Sequence, residues 1–144
     1  MKSLYKLLVF LFLIQNVNGQ IVNIPDANFK AKLLEADTTN QIASNISDGY
    51  IKIDTNNDGE IQLSEVQNIH GLNVSSSNIS SIDGIENFIG LRTLVFSNNS
   101  VVSISISNLS SLELVRCENS PLSSVFLNNL PNFRSLLVPY NQIN

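Results

Sequence analysis

The stretch LRTLVFSNNSV, Leu91 to Val101, carries apolar side chains at its first, fourth, sixth and eleventh places and Asn99 at its ninth. The same frame fits IHGLNVSSSNI from Ile69, LELVRCENSPL from Leu112 and FRSLLVPYNQI from Phe133. The starts lie 22, 21 and 21 residues apart, so the chain contains an internal repeat. Within each block, places 3 to 7 alternate in the manner of a short strand, with places 4 and 6 facing inward. Those inward residues are Leu72 and Val74, Leu94 and Phe96, Val115 and Cys117, and Leu136 and Val138. One such block cannot bury its own apolar face, but stacked blocks can, with parallel strands about 4.8 Å apart. The ninth-place residues (Ser77, Asn99, Ser120, Asn141) are positioned to turn the chain and to satisfy backbone groups inside that turn.

The second half of each repeat is apolar in register too: Ile82, Ile85 and Phe88, then Ile104, Ile106 and Leu109, then Val125, Leu127 and Leu130. Ser103 to Ile106 alternates strictly, so the back of that repeat is expected to be extended, and few residues there favour a helix. A β-sandwich of short alternating strands is the competing architecture, but it does not account for the fixed register. The spacing therefore predicts a mostly β solenoid of α/β type, with parallel strands over residues 69–144 and an incomplete fourth repeat.

Ahead of the array stands DTNNDGEIQLSE, Asp54 to Glu65. Asp54, Asn56 and Asp58 take places 1, 3 and 5, Gly59 takes place 6, and Glu60, Gln62 and Glu65 take places 7, 9 and 12. This is the spacing of an EF-hand calcium loop. Asp54, Asn56 and Asp58 would supply side-chain oxygens and Glu60 its backbone carbonyl. Gln62 would act directly or through water, and Glu65 would be bidentate. A set of hard oxygen donors with flexible geometry suits calcium better than magnesium. Ile61, at place 8, is expected to point inward. The alternative is an Asx- and Gly-rich turn that binds nothing. Ile51 and Ile53 alternate after the turn signal Asp48-Gly49, so the loop follows an extended segment, and LSEVQNI beyond it can form a short helix. ADTTNQIAS, upstream, lacks the glycine and the last carboxylate of a second loop. A lone loop points to a structural ion rather than a switch.

Further upstream, Asp26 is a candidate N-cap, and Phe29, Leu33 and Leu34 share one face of a helix. An amphipathic helix of this kind must bury its face, and the open end of the first repeat is available. Helix and calcium loop together form an expected N-terminal cap over residues 20–68, with the ion doing the work of a disulfide. The chain has only one cysteine, Cys117, so no intramolecular disulfide can form. Cys117 falls on an inward place and reads as a small buried hydrophobe. His70 is the only histidine and is expected to face solvent.

Residues 1–19 have the pattern of a secretory signal peptide: Lys2 and Lys6, an apolar run from Leu7 to Ile14, and small residues before Gln20. An uncleaved anchor is the alternative. Without Lys2 and Lys6, six basic residues remain against twelve acidic ones, a net of −6. That balance argues against nucleic acid and anionic membranes as partners, and for a secreted or cell-surface location without membrane insertion after cleavage.

The repeat blocks match the pattern LxxLxLxxNxL. With IPDANFKAKLL and IDTNNDGEIQLSEV before them, the chain resembles secreted bacterial leucine-rich repeat proteins with internalin-like repeats and a dockerin-like calcium-loop cap. The resemblance covers residues 20–144 and implies a non-enzymatic extracellular binding module for a protein or glycan. The chain stops one residue past the eleventh place of its fourth block, so a fragment is expected. An accessory region of a larger secreted hydrolase is the second reading. The outward places would carry the partner, with Arg92, Arg116, Arg134, Leu137 and Tyr140 the leading contacts, because Arg and Tyr are enriched at hot spots. A solvated face of local Arg/Glu pairs is the plainer alternative.

Overall fold

A computed structural model describes residues 19–47 and 49–143. The expected signal peptide, apart from Gly19, lies outside the described residues, as does Asp48 of the expected turn. Among the described residues no helix is long and apolar enough to cross a membrane. The chain folds as a β-solenoid, mostly strand and turn, with parallel strands stacked one per turn.

Four short strands repeat the frame of the sequence. They are β2 (Gly71–Asn73), β3 (Thr93–Val95), β5 (Leu114–Arg116) and β7 (Ser135–Leu137). They pair in parallel with Leu72, Leu94, Val115 and Leu136 in line. Each strand occupies places 3 to 5 of its block. The register follows from side-chain period: a slip of one residue would turn the inward Leu and Val to solvent and bring Arg116 or Asn73 inside. Leu94, Phe96, Val115 and Cys117 are fully buried. At about 1.5–3 kcal/mol for each large apolar side chain, this inward column is the main stabilising term.

The back of the solenoid differs between turns. β4 (Ser103–Ser107) and β6 (Ser124–Asn128) form a second, two-stranded parallel sheet, Ile104 opposite Val125 and Ile106 opposite Leu127. The alternation of Ser and Ile thus gives the expected extended segment. The turn before it is closed by a single 3-10 turn, Ile85–Asn87. Gly84 starts it at φ 103°, and a Cβ there would sit 2.8 Å from the Asn23 carbonyl oxygen. Only glycine fits a left-handed position against another backbone. Apolar burial is graded along the axis. Ile104, Ile106, Leu109 and Leu112 are buried, while their successors Val125, Leu127, Leu130 and Phe133 are half-buried.

Inside each front turn a polar side chain replaces the missing ladder. The Asn99 amide nitrogen donates to the carbonyls of Val74 and Phe96, both at 2.9 Å, and its oxygen accepts from the N–H groups of Ser77 and Ile79, both at 3.0 Å. Asn141 repeats the device one turn past Ser120, donating to the Cys117 and Val138 carbonyls. Ser120 does less, accepting the Asn99 N–H and donating to the Glu118 carbonyl.

The N-terminal end is closed by three pieces. Helix α1 (Ala27–Leu34) buries Phe29 and Leu33 completely. Leu34, expected on the same face, is only half-buried. Helix α2 (Leu63–Val66) follows the acidic loop, where a short helix was expected. The third piece is β1 (Ala43–Ser44), which pairs antiparallel with β2. The helix covers the end of the core, and Ala43 and Ser44, in the stretch ADTTNQIAS that lacks the ligands of a second loop, cover the open edge of β2. The β1 segment also binds the chain that returns to the loop, through Ile51 N–H to the Ala43 carbonyl.

Asp26 couples α1 to the first turn. One carboxylate oxygen accepts the Phe29 N–H at 2.9 Å as N-cap, and the other accepts the Ser80 N–H, the Ser80 hydroxyl and the Ser81 N–H. Burial opposes ionisation, but the Ser80 hydroxyl and these N–H groups outweigh it and hold the pKa at about 2, against the ordinary 3.8. A depressed carboxylate pKa stabilises the fold above the ordinary value, and that contribution is lost as pH falls through the folded one. Asp26→Ala is therefore expected to cost about 1–2 kcal/mol at neutral pH, the upper range for a cap. The gap from wild type in urea midpoints should close between about pH 4 and pH 2. A gap that stays constant across that range would exclude the ionised carboxylate as the source.

Candidate functional site

The acidic loop is shaped by its backbone. Asn57 and Gly59 adopt φ 61° and 78°, left-handed values that fold Asp54 to Glu60 back on itself. Asx residues and glycine tolerate that region best. The fold aims N–H groups inward: those of Asp58 and Gly59 donate to the Asp54 carboxylate, both at 3.2 Å. Asp54 itself is buried. Glu65 sits in the first turn of α2, where its carboxylate accepts the Thr55 N–H at 2.7 Å and the Gln62 N–H at 3.0 Å. It thus closes the loop and completes a capping box with Gln62.

Ile61 is fully buried, as its place predicts. Its carbonyl accepts the Val22 N–H at 2.8 Å, and the Leu63 N–H donates to the Gln20 carbonyl. Residues 20–22 therefore brace the loop through an isolated antiparallel bridge, Ile21 to Gln62, which the sequence pattern did not indicate. Lys30 of α1 pairs with Glu60 at 2.7 Å and ties helix to loop.

Two amides stand between the carboxylates. Asn56 and Gln62 donate to the same Asp58 oxygen, at 2.9 and 2.8 Å. The Glu60 N–H, followed by these two amides and the charge of Lys30, holds the Asp58 carboxyl below the usual carboxylate range despite some desolvation. Among the described residues no three carboxylate, imidazole or thiol groups converge as a metal cluster. The donor types nonetheless fit a hard cation: three carboxylates, two side-chain amides and a backbone carbonyl on one loop. To serve one, the Asn56 and Gln62 amides must rotate and present oxygen where they now present N–H.

The outward face of the front sheet carries all three arginines of the chain. Arg92, Arg116, Arg134, Leu137 and Tyr140 are all exposed, Tyr140 at 82 %. The arginines do not stand free. Arg92 donates from Nε and Nη2 to one Glu113 oxygen, at 2.8 and 2.6 Å, and Arg134 approaches the other at 3.9 Å. Arg116 pairs with Glu118 at 2.6 Å. The hydrogen bond from Arg92, then its charge and that of Arg134, holds Glu113 ionised below its ordinary range. Arg92 and Glu113 share place 2 of adjacent repeats, so stacking alone brings opposite charges together. His70, expected in solvent, is half-buried, its Nδ1 3.0 Å from the Asn68 carbonyl. Cys117 is fully buried, and burial raises its thiol pKa, the environment of an inert cysteine.

No family model matches the chain, and no curated protein matches it.

Proposed function

We propose that the chain is an extracellular recognition module of the leucine-rich repeat type, non-enzymatic, whose N-terminal cap is held by a structural calcium ion and whose partner is a protein or glycan. The observation that carries this reading is the outward front sheet. Its parallel strands place Arg92, Arg116, Arg134 and Leu137 at stacked positions, with Tyr140 beyond the last strand. Exposed Arg and Tyr on one face are residue types enriched at interaction surfaces. Secretion as a soluble or surface protein follows from the reading of residues 1–19 and from the acidic balance of the rest.

In this reading Asp54, Asn56, Asp58, Gln62 and Glu65 hold the ion with the Glu60 carbonyl. When bound, calcium would neutralise the mutual repulsion of the loop carboxylates and cross-link them. The chain's own part is to preset the loop through Asn57 and Gly59, and to join it to the core through Ile61.

Two experiments test the proposal. Thermal melts of residues 20–144 should rise by about 10 °C when calcium reaches a hundredfold excess over its Kd, from about 2.7 kcal/mol of linkage. EDTA should reverse the rise, and magnesium should not reproduce it. Asp54→Ala and Glu65→Ala should abolish the calcium-dependent difference. Glu65→Ala should also lower the metal-free melt, because it removes the bonds to Thr55 and Gln62. Identical melts with and without calcium would leave the loop a turn. Recognition itself is tested by binding to panels of purified extracellular proteins and glycans. Partners that bind wild type should be lost to a variant with Arg92, Arg116 and Arg134 all changed to alanine. Binding that ignores the triple change would displace the partner from this face.

A further inference from the structure

Between the cap and the front sheet lies a cavity of about 370 Å³. Its floor is the outward side of β2 and β3, with Asn73 and Thr93 among its residues. Tyr50 and Ile46, from the turn after β1, line it, as do Arg92, Glu113 and His70. Gly71 permits the close approach of cap and sheet: a Cβ there would lie 2.4 Å from the Ser44 hydroxyl. The equivalent places in later turns hold Thr93, Leu114 and Ser135, on strands that β1 does not pair with.

We infer that this cavity binds a neutral saccharide of one to three rings. The inference rests on the recognition reading and assigns it a specific site that none of the expected contacts except Arg92 touches. Four observations carry it. The size falls within the range of small-ligand sites, about 300–1,000 Å³. Among the described residues that line it, the charged side chains are paired, Arg92 with Glu113 through two hydrogen bonds. An ionic ligand would have to break that pair or bring an unmatched charge beside it. The lining also alternates hydrogen-bonding sense. Glu113 accepts, the Asn73 amide carries N–H donors while its oxygen holds the Ser75 N–H, and His70 adds a ring nitrogen beyond the one facing the Asn68 carbonyl. Hydroxyl groups, which both donate and accept, match such a wall. Finally, Tyr50 and Ile46 are exposed at 41 % and 70 %, offering an aromatic and an aliphatic surface to the C–H face of a sugar ring.

The test uses cellotriose, maltotriose and tri-N-acetylchitotriose, with a sulfated trisaccharide and a neutral tripeptide as comparisons. Each is titrated to about 10 mM, enough to detect a millimolar site, while amide resonances of the protein are followed. At least one neutral trisaccharide should shift Tyr50, Asn73 and Thr93. Thr93→Phe fills the cavity from an outward strand position without entering the core. It should weaken binding about tenfold or more, and Tyr50→Ala should act in the same direction. Ser105→Ala, on the exposed back strand, should leave binding intact. No shift with any neutral trisaccharide overturns the inference. So does binding of the sulfated sugar alone, which would make Arg92 an available cation, or of the tripeptide alone. If no neutral trisaccharide shifts these residues while a partner found in the panel binding is lost to the triple arginine change, the recognition face stands and only the cavity assignment fails.

Discussion

Asn99→Ala is expected to lower stability by about 3–5 kcal/mol, which for a domain of this size moves Tm by roughly 15 °C. The side chain is buried and serves two turns at once. Its loss strips partners from the Val74 and Phe96 carbonyls and from the Ser77 and Ile79 N–H groups. Each buried polar group left alone costs about 1–3 kcal/mol, and partial hydration of the new space reduces the sum. Asn99→Ser should cost less than alanine, because serine at the same place in the next turn, Ser120, accepts one bond and donates another. Asn99→Asp should be as damaging as alanine or worse, since an ionised carboxylate cannot donate to the two carbonyls. Asn141→Ala should cost roughly half as much: its turn is half-buried and its oxygen holds a single N–H, that of Leu122. Urea midpoints of the four variants give the order. Equal values for Asn99→Ala and Asn141→Ala would mean that burial does not set the cost.

The parts of this fold that could be read from sequence are those fixed by short-range periodicity. The inward pair of each block obeys the period of two, and the spacing of 21 or 22 residues carries it from turn to turn, so β2, β3, β5 and β7 fall where the frame puts them. Ser103 to Ser107 declares its own alternation. Asp26 announces a cap because an N-cap is a local event. β1 was hidden for the opposite reason. Two residues show no period, and Ala43 and Ser44 become a strand only because β2 offers an unpaired edge. The same holds at the loop. The spacing of its oxygens is local and visible, whereas the brace from Val22 to Ile61 joins segments far apart in sequence. On the outward face, exposure followed from alternation. The pairing of Arg92 with Glu113 needed the stacking register as well, and the cavity needed Tyr50 and Ile46 from a turn whose position depends on β1.

Phe29→Ala is expected to cost about 3–5 kcal/mol, whereas Phe126→Ala should stay within about 0.5 kcal/mol. The two residues share a chemistry and differ in place. Phe29 is fully buried on α1 and belongs to the continuous apolar core, while Phe126 is 58 % exposed on β6. Removing the Phe29 ring opens a cavity between the cap helix and the first turn and leaves Leu33, Asp26 and the Lys30–Glu60 pair to hold the helix. A solenoid turn without its cap exposes both core and strand edge, so the damage should not remain in the helix. Hydrogen exchange should quicken at β2 as well as at α1 in Phe29→Ala, with a single cooperative urea transition. A second transition, with β2 still protected, would instead make α1 an independently detachable element. If the loop binds calcium, the ion should raise wild type and Phe29→Ala by the same increment and leave the loss itself unchanged. Slower exchange of α1 in Phe29→Ala at high calcium, with no matching change in Asp54→Ala, would tie the helix and the loop into one cap.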